Sequence, residues 1–224
     1  MTAAILVFPG TNCERDTAWA FEKAGAKTAI VRYTEQDLPP KTDLVVIPGG
    51  FSYGDYLRCG AIARFAPIMD QVANFAKKGG RVFGICNGFQ ILLEAGLLPG
   101  AMLRNENLHF ISRFQTIKVE KTNNHFLGKL KDAQILDMPI AHAEGNYYIE
   151  ADGLKSLYDN DQVLLTYCDR EGKAQNVNGA VDSIAGICNA EKTVFAMMPH
   201  PERSASAIVG GKDGLALIKS VLES

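Results

Sequence analysis

The chain has 224 residues, 47% of them hydrophobic and 21% charged, with a formal net charge of −2. Such a chain can bury a substantial core, and its lack of basic excess excludes electrostatic binding to nucleic acid or an anionic membrane as its business. No apolar run reaches membrane-spanning length, and the five cysteines (13, 59, 86, 168, 188) form no C-x-x-C pair, so the expected setting is a reducing cytoplasm. The four histidines are dispersed, and no metal site is expected.

In chain order, Ala3 to Phe8 reads as a buried first strand, cut by Pro9-Gly10. Cys13 to Ala24 has helical spacing at Ala18, Phe21 and Ala24, with Gly25 just past its end. Thr28 to Val31 and Leu44 to Ile47 are strands, the second stopping at Pro48-Gly49-Gly50. A helix from Ala61 to Ala76 is expected, with Ile62, Phe65, Ile68, Met69, Val72 and Phe75 as its buried stripe. Arg81 to Ile85 is a strand that runs into Cys86 and the helical pattern beyond it.

After Gly96 the rhythm changes. Phe114 to Glu120, Ile135 to Met138, Tyr147 to Ile149, Val163 to Cys168 and Ile184 to Cys188 read as short strands with few helical patterns between them. Val194 to Met198 is a last strand before Pro199-His200-Pro201-Glu202, and a helix from Gly214 to Leu222 closes the chain. Strands alternating with helices, then strands in succession, predict one α/β domain over residues 1–224. Its architecture is an open, mostly parallel sheet with flanking helices and antiparallel additions.

Three features fall at one inferred edge of that sheet. Gly84-Ile85-Cys86-Asn87-Gly88-Phe89-Gln90 sets a cysteine between glycines where a strand hands over to a helix, the pattern of a nucleophile elbow. The helix aims unpaired N–H groups and its positive dipole end at the sulfur. His200 and Glu202 follow the last strand; the flanking prolines predict an extended segment in which the carboxylate orients the imidazole. Gly49 and Gly50 allow a tight turn whose N–H groups, with that of Asn87, could hold an oxyanion. Cysteine, histidine and glutamate so arranged point to acyl transfer, with Cys86, His200 and Glu202 as the catalytic group.

The elbow with its late His-Pro-Glu resembles the class I glutamine amidotransferase family, whose cysteine attacks the side-chain amide of glutamine and releases ammonia. The segments Phe8 to Glu14, Pro48 to Asp55, His142 to Gly145 and Pro199 to Arg203 extend the likeness over essentially the whole chain, toward the branch that serves purine biosynthesis. The resemblance implies a flavodoxin-like fold, Gln90 as a substrate contact, and Arg113 and Phe114 as part of the glutamine pocket. It also implies a large synthetase subunit that activates formylglycinamide ribonucleotide with ATP and magnesium, and a small bridging subunit.

This chain has no complete nucleotide site of its own. Ser206 stands where a phosphate loop before Gly211-Lys212 needs its first glycine, and Asp213 where it needs Ser or Thr. Partner docking on Phe51 to Tyr56 and His142 to Gly145 is expected to adjust the Gly49-Gly50 turn and switch hydrolysis on. The same elbow would also serve a stand-alone cysteine hydrolase of γ-glutamyl or peptide bonds, which would turn over without a partner.

Overall fold

In the computed structural model, which describes residues 1–224, the elements in chain order are β1 (Thr2–Val7), α1 (Glu14–Lys23), β2 (Lys27–Arg32), β3 (Leu44–Ile47), α2 (Pro67–Lys77), β4 (Arg81–Ile85) and α3 (Asn87–Glu94). There follow β5 (Ala101–Leu103), β6 (Ile111–Val119), β7 (Ile135–His142), β8 (Asn146–Tyr148), α4 (Ala151–Asp159), β9 (Val163–Tyr167), β10 (Ile184–Cys188), β11 (Val194–Met197) and α5 (Asp213–Glu223). Nine strands form one sheet in the order β2-β1-β3-β4-β11-β10-β9-β6-β7, and β5 pairs with β8 in a small second sheet. No helix is long and apolar enough to cross a membrane.

The large sheet has two halves. From β2 to β11 neighbouring strands run parallel, and from β11 to β7 they run antiparallel. In the parallel half, Leu44 to Ile47 is buried at every position, which is what strands covered by helices on both faces require. At the far edge β7 alternates, with Leu136, Met138 and Ile140 buried and their neighbours more exposed; Pro139 is tolerated there because an edge strand has no outer partner.

Several expectations are corrected. The helix expected from Ala61 to Ala76 is broken: Ala63–Phe65 is a 3-10 turn, Ala66 is extended, and α2 begins at Pro67. Proline fixes the φ of a first helical residue while pushing the residue before it out of the helical region. Helix α4 interrupts what reads as a run of strands; only Leu157 is buried in it, so the sequence carries no broad apolar stripe there. Pro201–Ser204 forms a 3-10 turn and not an extended segment, because Pro201 sits at a helix start, where its ring is compatible.

Three adjacent parallel strands, β3, β4 and β11, decide where function lies. Ile47 pairs with Gly84, and Ile85 with Met197, so all three end at the same level. The Gly49-Gly50 turn, the Cys86 elbow and the His200 turn leave the sheet side by side, in the crevice beyond the carboxyl ends of the strands where open α/β sheets bind ligands.

Candidate active site

Cys86 has φ 50° and ψ −104°, a backbone conformation that side-chain-bearing residues rarely adopt. Its glycine neighbours are there for space. A Cβ on Gly88 would lie 2.0 Å from the Ile47 carbonyl oxygen, and one on Gly84 would lie 2.9 Å from the Gly88 backbone. The glycines let α3 press onto β3 and β4, and the strained elbow pushes the Cys86 side chain out at the sheet edge. Its thiol faces the Ala141 carbonyl at 3.7 Å, and the Asn87 amide opens the helix among the first-turn N–H groups that lack an intrahelical acceptor.

His200 is 2% exposed and Glu202 1%, and their Nδ1 and Oε1 atoms are 2.6 Å apart. The His200 amide donates to the Pro139 carbonyl at 2.8 Å, which moors the turn on β7. Nε2 is left as the free ring nitrogen, buried and without a partner. Burial works against charge on the ring, but Glu202 and the sulfurs of Cys86 and Cys13 outweigh it, and the imidazolium is held well above the ordinary histidine range. Gly49 must be glycine here, since a Cβ on it would meet the His200 ring at 2.6 Å.

A cavity of about 250 Å3 is lined by Cys86 and His200 together with Cys13, Gly50, Ser112 and Arg203. A second, of about 80 Å3, also borders Cys86 and is lined by Asp55, Cys59, Gln90, His142 and Glu144. Gly50, Phe51, Cys86 and Ala141 border both.

Asn87 and Gln90 are less free than the sequence suggests. Asn87 Oδ1 accepts from the Ser52 amide at 3.1 Å and its Nδ2 donates to Gln90 Oε1 at 2.8 Å; Gln90 Nε2 then donates to the Glu144 carbonyl at 2.6 Å. Glu144 Oε2 closes a ring by accepting from the Cys59 amide at 3.3 Å. These side chains tie the loop after Gly50 to the elbow helix and to the segment after His142.

Arg113 and Phe114 lie apart from Cys86. Both line a separate polar groove with Asp137, Arg170 and Gln175; the Arg113 guanidinium donates to Gln115, and the Phe114 ring packs over Gly210. Ser112 borders the Cys86 cavity instead, and alternation along β6 turns Arg113 to the opposite face. Two residues near the site had no assigned role. Arg203 Nη2 lies 2.9 Å from Cys13 Sγ, both border the larger cavity, and the only signal for them was their place beside Asn12 and Glu202 in segments that carry the resemblance.

His142 is buried yet differs from His200. Burial, with some help from charge on His200, pushes its imidazole down to about 4. Its Nδ1 faces Asn105 Oδ1 at 3.1 Å and its Nε2 faces Asn178 Nδ2 at 3.5 Å, a neutral ring among amides. Cys13, His200 and Glu202 are close enough to share a cation, but Arg203 occupies the sulfur and the His200–Glu202 bond occupies the carboxylate.

Residues 1–210 match the family described as the CobB/CobQ-like glutamine amidotransferase domain. The chain belongs to that family. This amidotransferase is 54% identical to the phosphoribosylformylglycinamidine synthase subunit PurQ of Sulfurimonas denitrificans, over the full length of both chains, and 55% identical to that of Wolinella succinogenes over 99% of each. Its fold superposes on a chain of the PurLQS structure from Thermotoga maritima with a TM-score of 0.89 and 38% identity, covering 99% of this chain and 97% of that one. The amidotransferase therefore shares its fold over nearly its whole length with a chain of that structure.

Proposed function

We propose that this amidotransferase is the glutaminase subunit of phosphoribosylformylglycinamidine synthase, hydrolysing glutamine to glutamate and ammonia for a synthetase subunit. The observation that carries the reading is the delivery of Gly50, Cys86 and His200 to one point by three adjacent parallel strands, in a chain whose relatives carry that subunit's name over their whole length.

In the proposed reaction the Cys86 thiolate adds to the amide carbon of glutamine, and the developing oxyanion is met by the Gly50 and Asn87 amides. His200, oriented by Glu202, gives its Nε2 proton to the amide nitrogen as the carbon–nitrogen bond breaks, and ammonia leaves. The same ring then takes a proton from water, whose hydroxide displaces the thiolate from the thioester and yields glutamate. Arg203, 3.8 Å from Glu202 and close to Cys13, helps fix the far side of the ring.

Free ammonia in water at neutral pH takes up a proton and ceases to be a nucleophile, so a receiving subunit must dock over the site. Phe51 and Phe110, both about half exposed, border the larger cavity, and Tyr56, Leu57 and Leu108 in the same two loops are 75%, 88% and 69% exposed. Such an apolar rim beside a polar centre suits a protein partner. We assign that place to a large synthetase subunit that holds ATP, magnesium and formylglycinamide ribonucleotide, with a small subunit bridging the two, in the cytoplasm. Docking there would act on the Ser52–Asn87–Gln90–Glu144 ring and so on the Gly50 turn.

The reading is tested by reconstituting the chain with its synthetase partners. Wild type should support glutamine-driven synthesis of the amidine product, and Cys86→Ala should support synthesis from ammonium salts alone. Glutamine-driven synthesis by the variant would sink the reading. Equal glutamine hydrolysis by the isolated chain and the complex would favour the stand-alone hydrolase and remove the docking switch.

A further inference from the structure

Asn105 is completely buried, although Leu108 and Phe110 in the same loop are 69% and 51% exposed. A buried carboxamide must satisfy an oxygen that can accept twice and a nitrogen that can donate twice, and Asn105 fills all four places. Its Nδ2 donates to the His109 carbonyl at 2.8 Å and to the His142 carbonyl at 2.9 Å, and its Oδ1 accepts from the Gly145 amide at 3.0 Å. The fourth partner is the His142 ring, whose Nδ1 lies 3.1 Å from that oxygen. The two carbonyls fix which end of the carboxamide carries hydrogen, so Nδ1 is the protonated nitrogen of the ring. The Asn105 backbone adds two ties: its amide donates to the Ala143 carbonyl and its carbonyl accepts from the Leu108 amide, both at 2.8 Å.

These bonds fasten together two segments with different neighbours. One is the loop of Leu108 and Phe110, part of the exposed apolar rim that suits a protein partner. The other runs from Ala141 to Gly145: the Ala141 carbonyl faces the Cys86 thiol at 3.7 Å, and the Glu144 carbonyl accepts from Gln90, on the elbow helix, at 2.6 Å. The His142 ring packs so closely on this segment that a Cβ on Gly145 would lie 2.3 Å from it. We infer that Asn105 is a positioning residue through which a protein docked on the loop of Leu108 and Phe110 fixes the segment beside Cys86 and so raises glutamine hydrolysis. The inference rests on the glutaminase reading and gives the action of the partner a route. A buried side chain with every hydrogen bond made moves together with the groups it holds, because sliding it would leave them without partners. Clamping the loop from outside therefore clamps the segment within, and attack by a nucleophile is sensitive to displacements of about 1 Å in its surroundings.

The test measures kcat for glutamine hydrolysis by the isolated chain and by the chain saturated with its synthetase partners, for wild type and Asn105→Ala, and reads the ratio of the two. That ratio should fall by ~10-fold in the variant, with the affinity for the synthetase, measured by calorimetry, unchanged. A residue that merely supports the fold would lower both rates together. An unchanged ratio overturns the inference, and so does a loss of stimulation accounted for by weaker docking. Should the variant fail to fold, the wild type still answers by hydrogen exchange read with mass spectrometry. Peptides covering residues 105–110 and 142–146 should both exchange more slowly in the complex than in the isolated chain, and protection confined to the first would overturn the inference. Failure of the glutaminase reading looks different, since Cys86→Ala would then still hydrolyse glutamine.

Discussion

His200 and His142 are buried to almost the same degree, 2% and 3% exposed, and each borders one of the two cavities that share Cys86, yet they are driven in opposite directions. Burial pushes both rings toward neutrality. At His200 a carboxylate at 2.6 Å and two sulfurs reverse it; at His142 the partners are two neutral amides, and burial prevails. Desolvation alone does not decide which histidine can move a proton; the charge of its partner does. The proposed chemistry uses this division, with His200 as the acid–base and His142 left an uncharged ring.

Four perturbations bear on that contrast. The largest is removal of the sulfur: Cys86→Ala should reduce glutamine hydrolysis by at least ~10³-fold with the far-ultraviolet circular dichroism unchanged. Next, Glu202→Gln strips His200 of its charged partner. Hydrolysis should drop by ~10²–10⁴-fold, and the pH at which the activity of the variant changes should fall toward and below the ordinary histidine value. An unmoved pH profile would mean that Glu202 does not set the charge of the ring.

The third perturbation concerns stability. Between pH 6.5 and about 4 the unfolded chain takes up a proton at His142 and the folded chain does not, so stability should fall as pH drops through that window, by on the order of 3 kcal/mol. Denaturant unfolding of His142→Gln across those values should show a flatter slope. His200 has the opposite sign. Its raised folded value gives a contribution fully present below about 6.5 and lost as pH rises through the folded value. Fourth and smallest, Gly88→Ala should cost about 1–3 kcal/mol in urea unfolding, because its methyl group meets the Ile47 carbonyl. A neutral result would mean that α3 is free to move off the sheet.

Much of the fold could be read directly from the sequence because the parallel strands are buried on both faces and appear as unbroken apolar runs, such as Leu44 to Ile47. The elbow was visible for a related reason: Gly84 and Gly88 have no room for a side chain, and that demand is written as glycine. What periodicity could not show was set by tertiary contact. Helix α4 buries one side chain, the 3-10 turn at Pro201 depends on a proline whose ring both stops strands and starts helices, and the bond from Gln90, expected as a substrate contact, to the Glu144 carbonyl forms only once that distant segment is folded against it. Arg113 and Phe114 face another groove for a geometric reason that strand spacing alone does not reveal, since the larger cavity meets β6 at Ser112.

The central claim is that Cys86 and no other sulfur carries the substrate. During steady turnover of glutamine by the assembled complex, acid quenching followed by peptide mass spectrometry should find a γ-glutamyl thioester on the peptide that contains Cys86. Cys13, which borders the same cavity, should remain unmodified. An adduct on Cys13, or continued hydrolysis with Cys86 blocked by alkylation, would contradict it.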